Sequence, residues 1–208
     1  MDSCCASTVR QQQRHVLQLV LAINATMFFV EFGAGLFARS TALLGDSLDM
    51  LGDTLVYGFS LYVLSKDSRW RAGSALIKGL LMLAFGLGVL VDAALKFQGG
   101  SIPVVPAMVG IGALALAANT VCFALLWRHR ASDINFRSTW LCSRNDLVAN
   151  SAVIMAAVLV ARFQSVWPDV LVGVGIAGLF LWTAFGVLHD AVSELRRARP
   201  GDTSFESA

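Results

Sequence analysis

Charged side chains are scarce in this sequence. Only 14% of its 208 residues are Asp, Glu, Lys or Arg, whereas about 25% is usual for a soluble domain. Hydrophobic residues make up 56% of the chain, and its mean hydropathy is +0.67. This balance excludes an ordinary soluble domain and indicates a polytopic membrane protein. A nucleic-acid-binding signature is also lacking, so we expect no nucleic-acid partner.

The four cysteines are too few and too badly placed for a disulfide framework. Cys4 and Cys5 are adjacent, while Cys122 and Cys142 fall inside apolar segments, which favours a reducing compartment. The Cys4–Cys5 pair could capture a metal ion that arrives from the cytosol. The alternative is two free thiols, because an adjacent pair cannot complete a tetrahedral site alone.

Six apolar segments are long enough to cross a bilayer, which takes a helix of roughly 20 residues. We place them at Val16–Ala38, Thr41–Leu64, Ala75–Leu95, Ile102–Trp127, Thr139–Ala161 and Val170–Leu188. The predicted fold is an all-α integral membrane domain of six transmembrane helices over residues 15–192. Short cytoplasmic tails are predicted at 1–14 and 193–208. The first segment lacks a convincing cleavage site, so we do not expect it to be a signal peptide.

Basic residues distinguish the two sides of this membrane domain. One side holds most of them, and the other has only Arg39, Lys96 and Arg162. Because basic loops stay in the cytoplasm, both termini are predicted to be cytoplasmic. The basic side comprises Arg10, Arg14, Lys66, Arg69, Arg71, Arg128, Arg130, Arg137, Arg196, Arg197 and Arg199.

The second segment is unusual because it carries three carboxylates, Asp46, Asp49 and Asp53. Their spacing of i, i+3 and i+7 forms one narrow acidic stripe on a helix. Each ionised acid at bilayer depth costs roughly 2.5–3.5 kcal/mol, so the three need a compensating divalent cation or protons. The alternative is protonated carboxyl groups that hydrogen-bond across helices. Glu31 in the first segment could line the same ion path, or it could form a structural hydrogen bond to a neighbouring helix.

The fifth segment carries Cys142, Asp146 and Asn150 at i, i+4 and i+8, another polar stripe. Segments two and five enter from opposite sides, so we expect their stripes to meet near mid-membrane. The pairs Asp49/Asp53 and Cys142/Asp146 can furnish a tetrahedral site for Zn²⁺, Cd²⁺ or another thiophilic divalent ion. Departure of the metal should bring proton uptake, because clustered acids in a low dielectric cannot all ionise without a cation.

At these residues the sequence resembles the cation diffusion facilitator family, as a bacterial-type six-helix cation efflux protein. Residues 44–53 look like the paired ligand motif of that family's second helix, and residues 142–146 look like the motif of its fifth. The resemblance implies four metal ligands: Asp49, Asp53, Cys142 and Asp146. Asp46 takes a supporting position. Cys142 stands where the family usually has His.

The same resemblance implies a homodimer that exports metal from the cytosol in exchange for protons, in the bacterial inner membrane. The cytoplasmic domain that commonly follows the sixth helix of the family is not expected here. The metal ion is a substrate, and we expect no permanently bound cofactor. The other implied partners are protons and the lipid bilayer.

Two other functions remain open on these residues. A membrane-embedded thiol enzyme would use Cys142 as nucleophile, assisted by Asp146 and Arg144. Against it, no His lies nearby in sequence and Arg144 projects from a different face of the helix. A transporter of a non-metal cation would bind its substrate through the acids, although few aromatic residues flank them. We expect a transporter rather than an enzyme.

Overall fold

A computed structural model of the protein describes residues 2–63, 68–97, 99–127 and 134–197. These residues form six α-helices and no strand, which confirms the predicted all-α class. The helices are α1 (Asp2–Ala38), α2 (Thr41–Val63), α3 (Ser68–Phe97), α4 (Val105–Trp127), α5 (Ile134–Phe163) and α6 (Trp167–Arg197). Helix α1 includes the predicted N-terminal tail from residue 2 onward, and α6 continues into the predicted C-terminal tail. Residues 198–208 of that tail lie outside the described residues.

Within the described ranges, five helices contain a segment long and apolar enough to cross a membrane. These segments are His15–Ala38, Leu76–Lys96, Val105–Trp127, Asp146–Phe163 and Trp167–Ser193. Helix α2 is the exception, although at 23 residues it is as long as α4. Every window of 18 residues in α2 includes all three of its aspartates, and such a load of acid is costly in lipid. The chain is an integral membrane protein whose second helix needs protein neighbours.

Helix α2 has those neighbours, because it contacts α1, α3, α5 and α6. Its first turns are sealed: every residue from Ser40 to Leu48 is buried. From Asp49 onward burial becomes partial at several positions, including Asp53 and Thr54. The helix is therefore closed at the end that follows the α1–α2 turn and more open from Asp49 onward, beyond its first two turns.

The α1–α2 turn is short because its two residues end one helix and begin the next. Arg39 has a left-handed backbone (φ 52°), and the N–H of Ser40 donates to the carbonyl oxygen of Gly35 (2.9 Å), which closes the last turn of α1. The hydroxyl oxygen of Ser40 accepts a hydrogen bond from the N–H of Leu43 (3.1 Å). This is the N-cap bond that starts α2. Local contacts thus bring α1 and α2 together as an antiparallel hairpin.

Asp169, in the first turn of α6, binds the first residues of α2 through its carboxylate. Its carboxylate accepts hydrogen bonds from the N–H groups of Thr41 (2.7 Å) and Ala42 (3.1 Å). Lys96 Nζ lies 3.6 Å from Asp169 Oδ2 and 2.9 Å from Asp92 Oδ2, and it donates to the Thr41 hydroxyl (2.7 Å). These contacts join α2, α3 and α6. We call the group of Thr41, Asp92, Lys96 and Asp169 the end clamp.

Helices α2 and α6 also cross at two glycines. A Cβ atom on Gly173 would lie 2.5 Å from the carbonyl carbon and oxygen of Thr41, and one on Gly45 would lie 3.0 Å from the carbonyl oxygen of Gly173. The two backbones are too close to admit a side chain, which is how small residues serve helix packing in membranes. The crossing sets the position of α2 just before Asp46.

We expect Gly173→Ala to destabilise the protein by about 1–3 kcal/mol, because the added methyl group must push α6 away from α2. Gly175→Ala is the matched control, since it lies two residues further along the same helix and its Cβ would meet nothing within 4 Å. Thermal unfolding of the purified variants in detergent should give a lower midpoint for Gly173→Ala alone. Equal midpoints for the two variants would contradict the close crossing.

Candidate metal site

The acidic stripe of α2 runs through the middle of the bundle. Asp46 is fully buried, whereas Asp49 and Asp53 are half-buried. Asp49 interacts electrostatically with Asp53 and with Asp46, because the spacing keeps the three side chains on one side of the helix. The stripe therefore begins in the sealed part of α2 and continues into its more open part.

Helix α5 presents Asp146 and Asn150 to this stripe. Both residues are buried. The Asn150 Nδ2 group donates to Asp46 Oδ1 (3.2 Å) and to the carbonyl oxygen of Asp146 in its own helix (2.8 Å). The Asp146 carboxylate interacts electrostatically with Asp53 first, then with Asp49 and Asp46. The structure thus brings the polar residues of α2 and α5 together inside the bundle.

Helix α1 adds another acid to the same place. Glu31 is fully buried, and neither of its carboxylate oxygens has a hydrogen-bond partner. The structural hydrogen bond considered for it is therefore not formed within the described part of the chain. Glu31 interacts electrostatically with Asp49 and Asp146, and it does so with Asp46 as well. Carboxylates from three helices share one neighbourhood.

Two acids of this neighbourhood, Glu31 and Asp46, have no positive charge paired with them in the described part of the chain. Asp46 Oδ2 also has no hydrogen-bond partner. Buried carboxylates of this kind are costly unless a cation or protons neutralise them. The arrangement can therefore bind a cation, protons, or each in turn.

The acids are neighbours, but they do not stand in coordination geometry. Among the side chains that the structure describes, no three from His, Cys, Asp and Glu are placed to hold one metal ion. Cys142 lies in α5 one turn before Asp146, and its side chain falls outside the described set, as does that of Arg144. The side chains of Cys4 and Cys5 in α1 fall outside it too. The four-ligand site stays a prediction.

Sequence reasoning does not find the end clamp, although one signal for it is present. Asp92 and Lys96 are spaced i, i+4 in an otherwise apolar helix, which is the spacing of a helical ion pair. Asp169 offers no such signal, because its partners come from α2 and α3. A buried contact between Asn24 Nδ2 and Cys122 Sγ (4.0 Å) is likewise not visible in sequence.

Membrane helices packed around buried acids define the class: a polytopic membrane protein with intramembrane carboxylates, two of which (Glu31 and Asp46) have no cationic partner within the described part of the chain. Residues 17–196 match the family model of the cation efflux transmembrane domain. The chain belongs to this family, which confirms the resemblance seen in its sequence. The family is one of cation efflux transporters, not of enzymes.

Three relatives show how far the similarity extends. The cation efflux system protein CzcD of Alcaligenes sp. (strain CT14) is 23% identical over 198 residues, covering 89% of this chain and 63% of that protein. The cadmium, cobalt and zinc/H(+)-K(+) antiporter of Bacillus subtilis (strain 168) is 22% identical over 201 residues, covering 90% and 65%. The zinc transporter ZitB of Escherichia coli (strain K12) is 25% identical over 205 residues, covering 88% and 63%. The chain spans less than two thirds of the length of these relatives.

Proposed function

We propose that the protein is a proton-coupled antiporter that exports a divalent transition-metal cation, Zn²⁺, Cd²⁺ or a similar thiophilic ion, from the cytosol. The observation that carries this proposal is the meeting of buried carboxylates from α1, α2 and α5. No described cationic side chain pairs with Glu31 or Asp46 among them. The names of the three relatives refer to cation efflux, to cadmium, cobalt and zinc, and to zinc transport.

The metal ligands in this proposal come from two helices. They are Asp49 and Asp53 of α2 with Cys142 and Asp146 of α5. The electrostatic interaction of Asp146 with both α2 ligands supports the set. Three carboxylates and one thiolate suit a tetrahedral divalent ion, and the sulfur favours zinc or cadmium over magnesium or calcium. A bound ion would draw the neighbouring side chains into coordination, with Asp46, Asn150 and Glu31 lining the ion path.

Protons exchange with the metal because the two compete for the same carboxylates. When the ion leaves, buried acids take up protons to avoid an uncompensated charge, and when an ion returns they release them. Exposure of the site to the two sides of the membrane in turn would convert this competition into antiport. The name of the Bacillus subtilis relative includes both H⁺ and K⁺. For this chain we propose protons as the ion exchanged for the metal, because carboxylates bind protons directly.

The burial of α2 supports access to the site from one side. Asp49 and Asp53 are half-buried toward the Val63 end of the helix, whereas the Thr41 end is sealed. The basic loops flank the Val63 end, so we assign that end and both termini to the cytoplasm. The proposal includes a homodimer in the bacterial inner membrane, which rests on the family resemblance. Cys4 and Cys5 would then lie on the side where metal is captured.

Proteoliposomes that enclose a pH-sensitive dye provide the test. Addition of Zn²⁺ or Cd²⁺ outside liposomes that contain the full chain should drive metal uptake and move protons in the opposite direction. Mg²⁺ at the same concentration is the control and should give no response, because it prefers oxygen ligands and gives up its water reluctantly. Metal uptake without proton movement would overturn the coupling. Absence of any metal uptake would overturn the function itself.

A further inference from the structure

Three buried side chains beside the proposed metal site carry oxygen atoms without hydrogen-bond partners. These atoms are both Oε atoms of Glu31, Oδ2 of Asp46 and Oδ1 of Asn150. All three side chains are completely buried. Nearly all buried polar atoms in proteins are paired, so a group of orphan oxygens marks a place where a partner belongs.

The three side chains belong to one group. Asn150 Nδ2 donates to Asp46 Oδ1 (3.2 Å), which ties α5 to α2 and leaves the other oxygen of each side chain without a partner. Glu31 of α1 interacts electrostatically with Asp46. The Asp46 carboxylate therefore has the Asn150 amide against it and lies within electrostatic range of the Glu31 carboxylate. No Lys, Arg or His among the described residues pairs with either acid.

This group lies nearer to the closed end of α2, its buried start, than the proposed metal ligands do. Asp46 precedes Asp49 by about 4.5 Å along α2, and Asn150 follows Asp146 by about 6 Å along α5, from the helical rise per residue. The start of α2 and the end of α5 lie at the same end, because Asp169 follows α5 closely and holds the first N–H groups of α2. An ion that moves from the metal ligands toward the closed end meets this group next.

The donor chemistry of the group differs from that of the metal site. It offers carboxylate and amide oxygens only, without the thiolate that Cys142 would supply. Such oxygens bind divalent cations, and they hold a thiophilic ion less tightly than a sulfur-containing set does. A transported ion must be bound well enough to enter and weakly enough to leave. A weaker position on the exit side meets the second requirement.

We propose that Glu31, Asp46 and Asn150 form a second cation-binding position, made of oxygen donors only, on the exit side of the metal site. The proposal rests on the proposed function and concerns the same divalent substrate. The transported ion passes from the sulfur-containing position to this one before it leaves the protein. Two divalent ions about one helical turn apart repel each other, so arrival of the next ion helps to release the first.

Equilibrium dialysis of the purified full chain against Zn²⁺ in detergent counts the positions. Cys4→Ser and Cys5→Ser are introduced first, so that thiols near the N-terminus contribute no binding. In this background we expect two Zn²⁺ per chain. Glu31→Gln should bind one Zn²⁺ per chain, with the tighter of the two affinities. Asp190→Asn changes an acid whose side chain is 87% exposed and, as the control, should keep both.

Mn²⁺ competition adds a second measurement. Mn²⁺ binds more weakly than Zn²⁺ in general but competes best at sites made of oxygen ligands, so a large excess of Mn²⁺ should displace the Zn²⁺ that Glu31→Gln removes before it displaces the other. Asp46→Asn should also leave a single Zn²⁺, which provides a variant if Glu31→Gln fails to fold. One Zn²⁺ per chain before these substitutions, or two after Glu31→Gln, would overturn the second position and leave the proposed function intact. No bound Zn²⁺ at all would overturn both.

Discussion

Asp49→Asn is expected to reduce metal-driven proton movement in proteoliposomes by at least about 100-fold. Loss of an outer partner of a metal ligand already lowers metal affinity by about 10–100-fold, and loss of a charged ligand should exceed that. Asp49 occupies the middle of the acidic stripe and interacts electrostatically with Asp53, Asp46 and Glu31. Asparagine keeps the volume of the side chain and removes the charge, so the substitution tests the proposed metal coordination by Asp49 rather than its packing.

Asp190→Asn is the matched control for this experiment. It makes the same chemical change at an acid of α6 that is 87% exposed, and it should leave metal uptake and proton movement unchanged. Gel filtration of both variants shows whether each is folded before transport is compared. If Asp49→Asn moved metal and protons at nearly the wild-type rate, Asp49 would not be a metal ligand. Of the three acids of α2, only Asp46 and Asp53 could then take part in binding the ion.

Much of the fold can be predicted because a bilayer imposes simple demands on sequence. The predicted ends of segments at Ala38, Thr41 and Trp127 coincide with those of α1, α2 and α4. Helices α3, α5 and α6 extend beyond the predicted segments at both ends. Hydropathy marks the part of a helix that lies in lipid, whereas backbone hydrogen bonds continue into polar flanking residues.

The candidate site is predictable in part, for a different physical reason. The spacing of Asp46, Asp49 and Asp53 requires that they share one side of α2, and the structure places Asp146 of α5 beside them. The lack of a hydrogen-bond partner at Glu31 could not be predicted from residue spacing. Whether a buried acid has a hydrogen-bond partner depends on tertiary contacts, which the spacing of residues in one helix does not determine.

The end clamp was beyond sequence analysis because it joins three helices that are distant in the chain. Asp169 alone looks like an acid in the first turn of a helix, where the helix dipole favours negative charge. In the structure it serves a second helix as well, because it accepts hydrogen bonds at the start of α2 and pairs with Lys96. Asp169 is completely buried. If its carboxylate is removed, water is therefore not at hand to replace the hydrogen bonds that it accepted.

Asp169→Ala is therefore expected to lower the free energy of unfolding by about 2–4 kcal/mol, because a buried donor left without its acceptor costs about 1–3 kcal/mol, whereas Lys96 keeps Asp92 as a partner at 2.9 Å. The N–H groups of Thr41 and Ala42 would lose their acceptor, as in the loss of a helix cap. Denaturant unfolding of the purified protein in detergent is the measurement.

Two further variants separate the clamp from a general effect of removing an acid. Asp169→Asn keeps an oxygen that can accept one of the two backbone hydrogen bonds but removes the charge beside Lys96, so its loss of stability should be smaller than that of Asp169→Ala. Asp190→Ala, at the exposed acid of the same helix, should stay within about 0.5 kcal/mol of the parent.

If Asp169→Ala were as stable as Asp190→Ala, the buried pairing at the start of α2 would contribute nothing to holding α2 against α6. The start of α2 would then be held against α6 by other contacts, such as the close backbone crossing at Gly45 and Gly173.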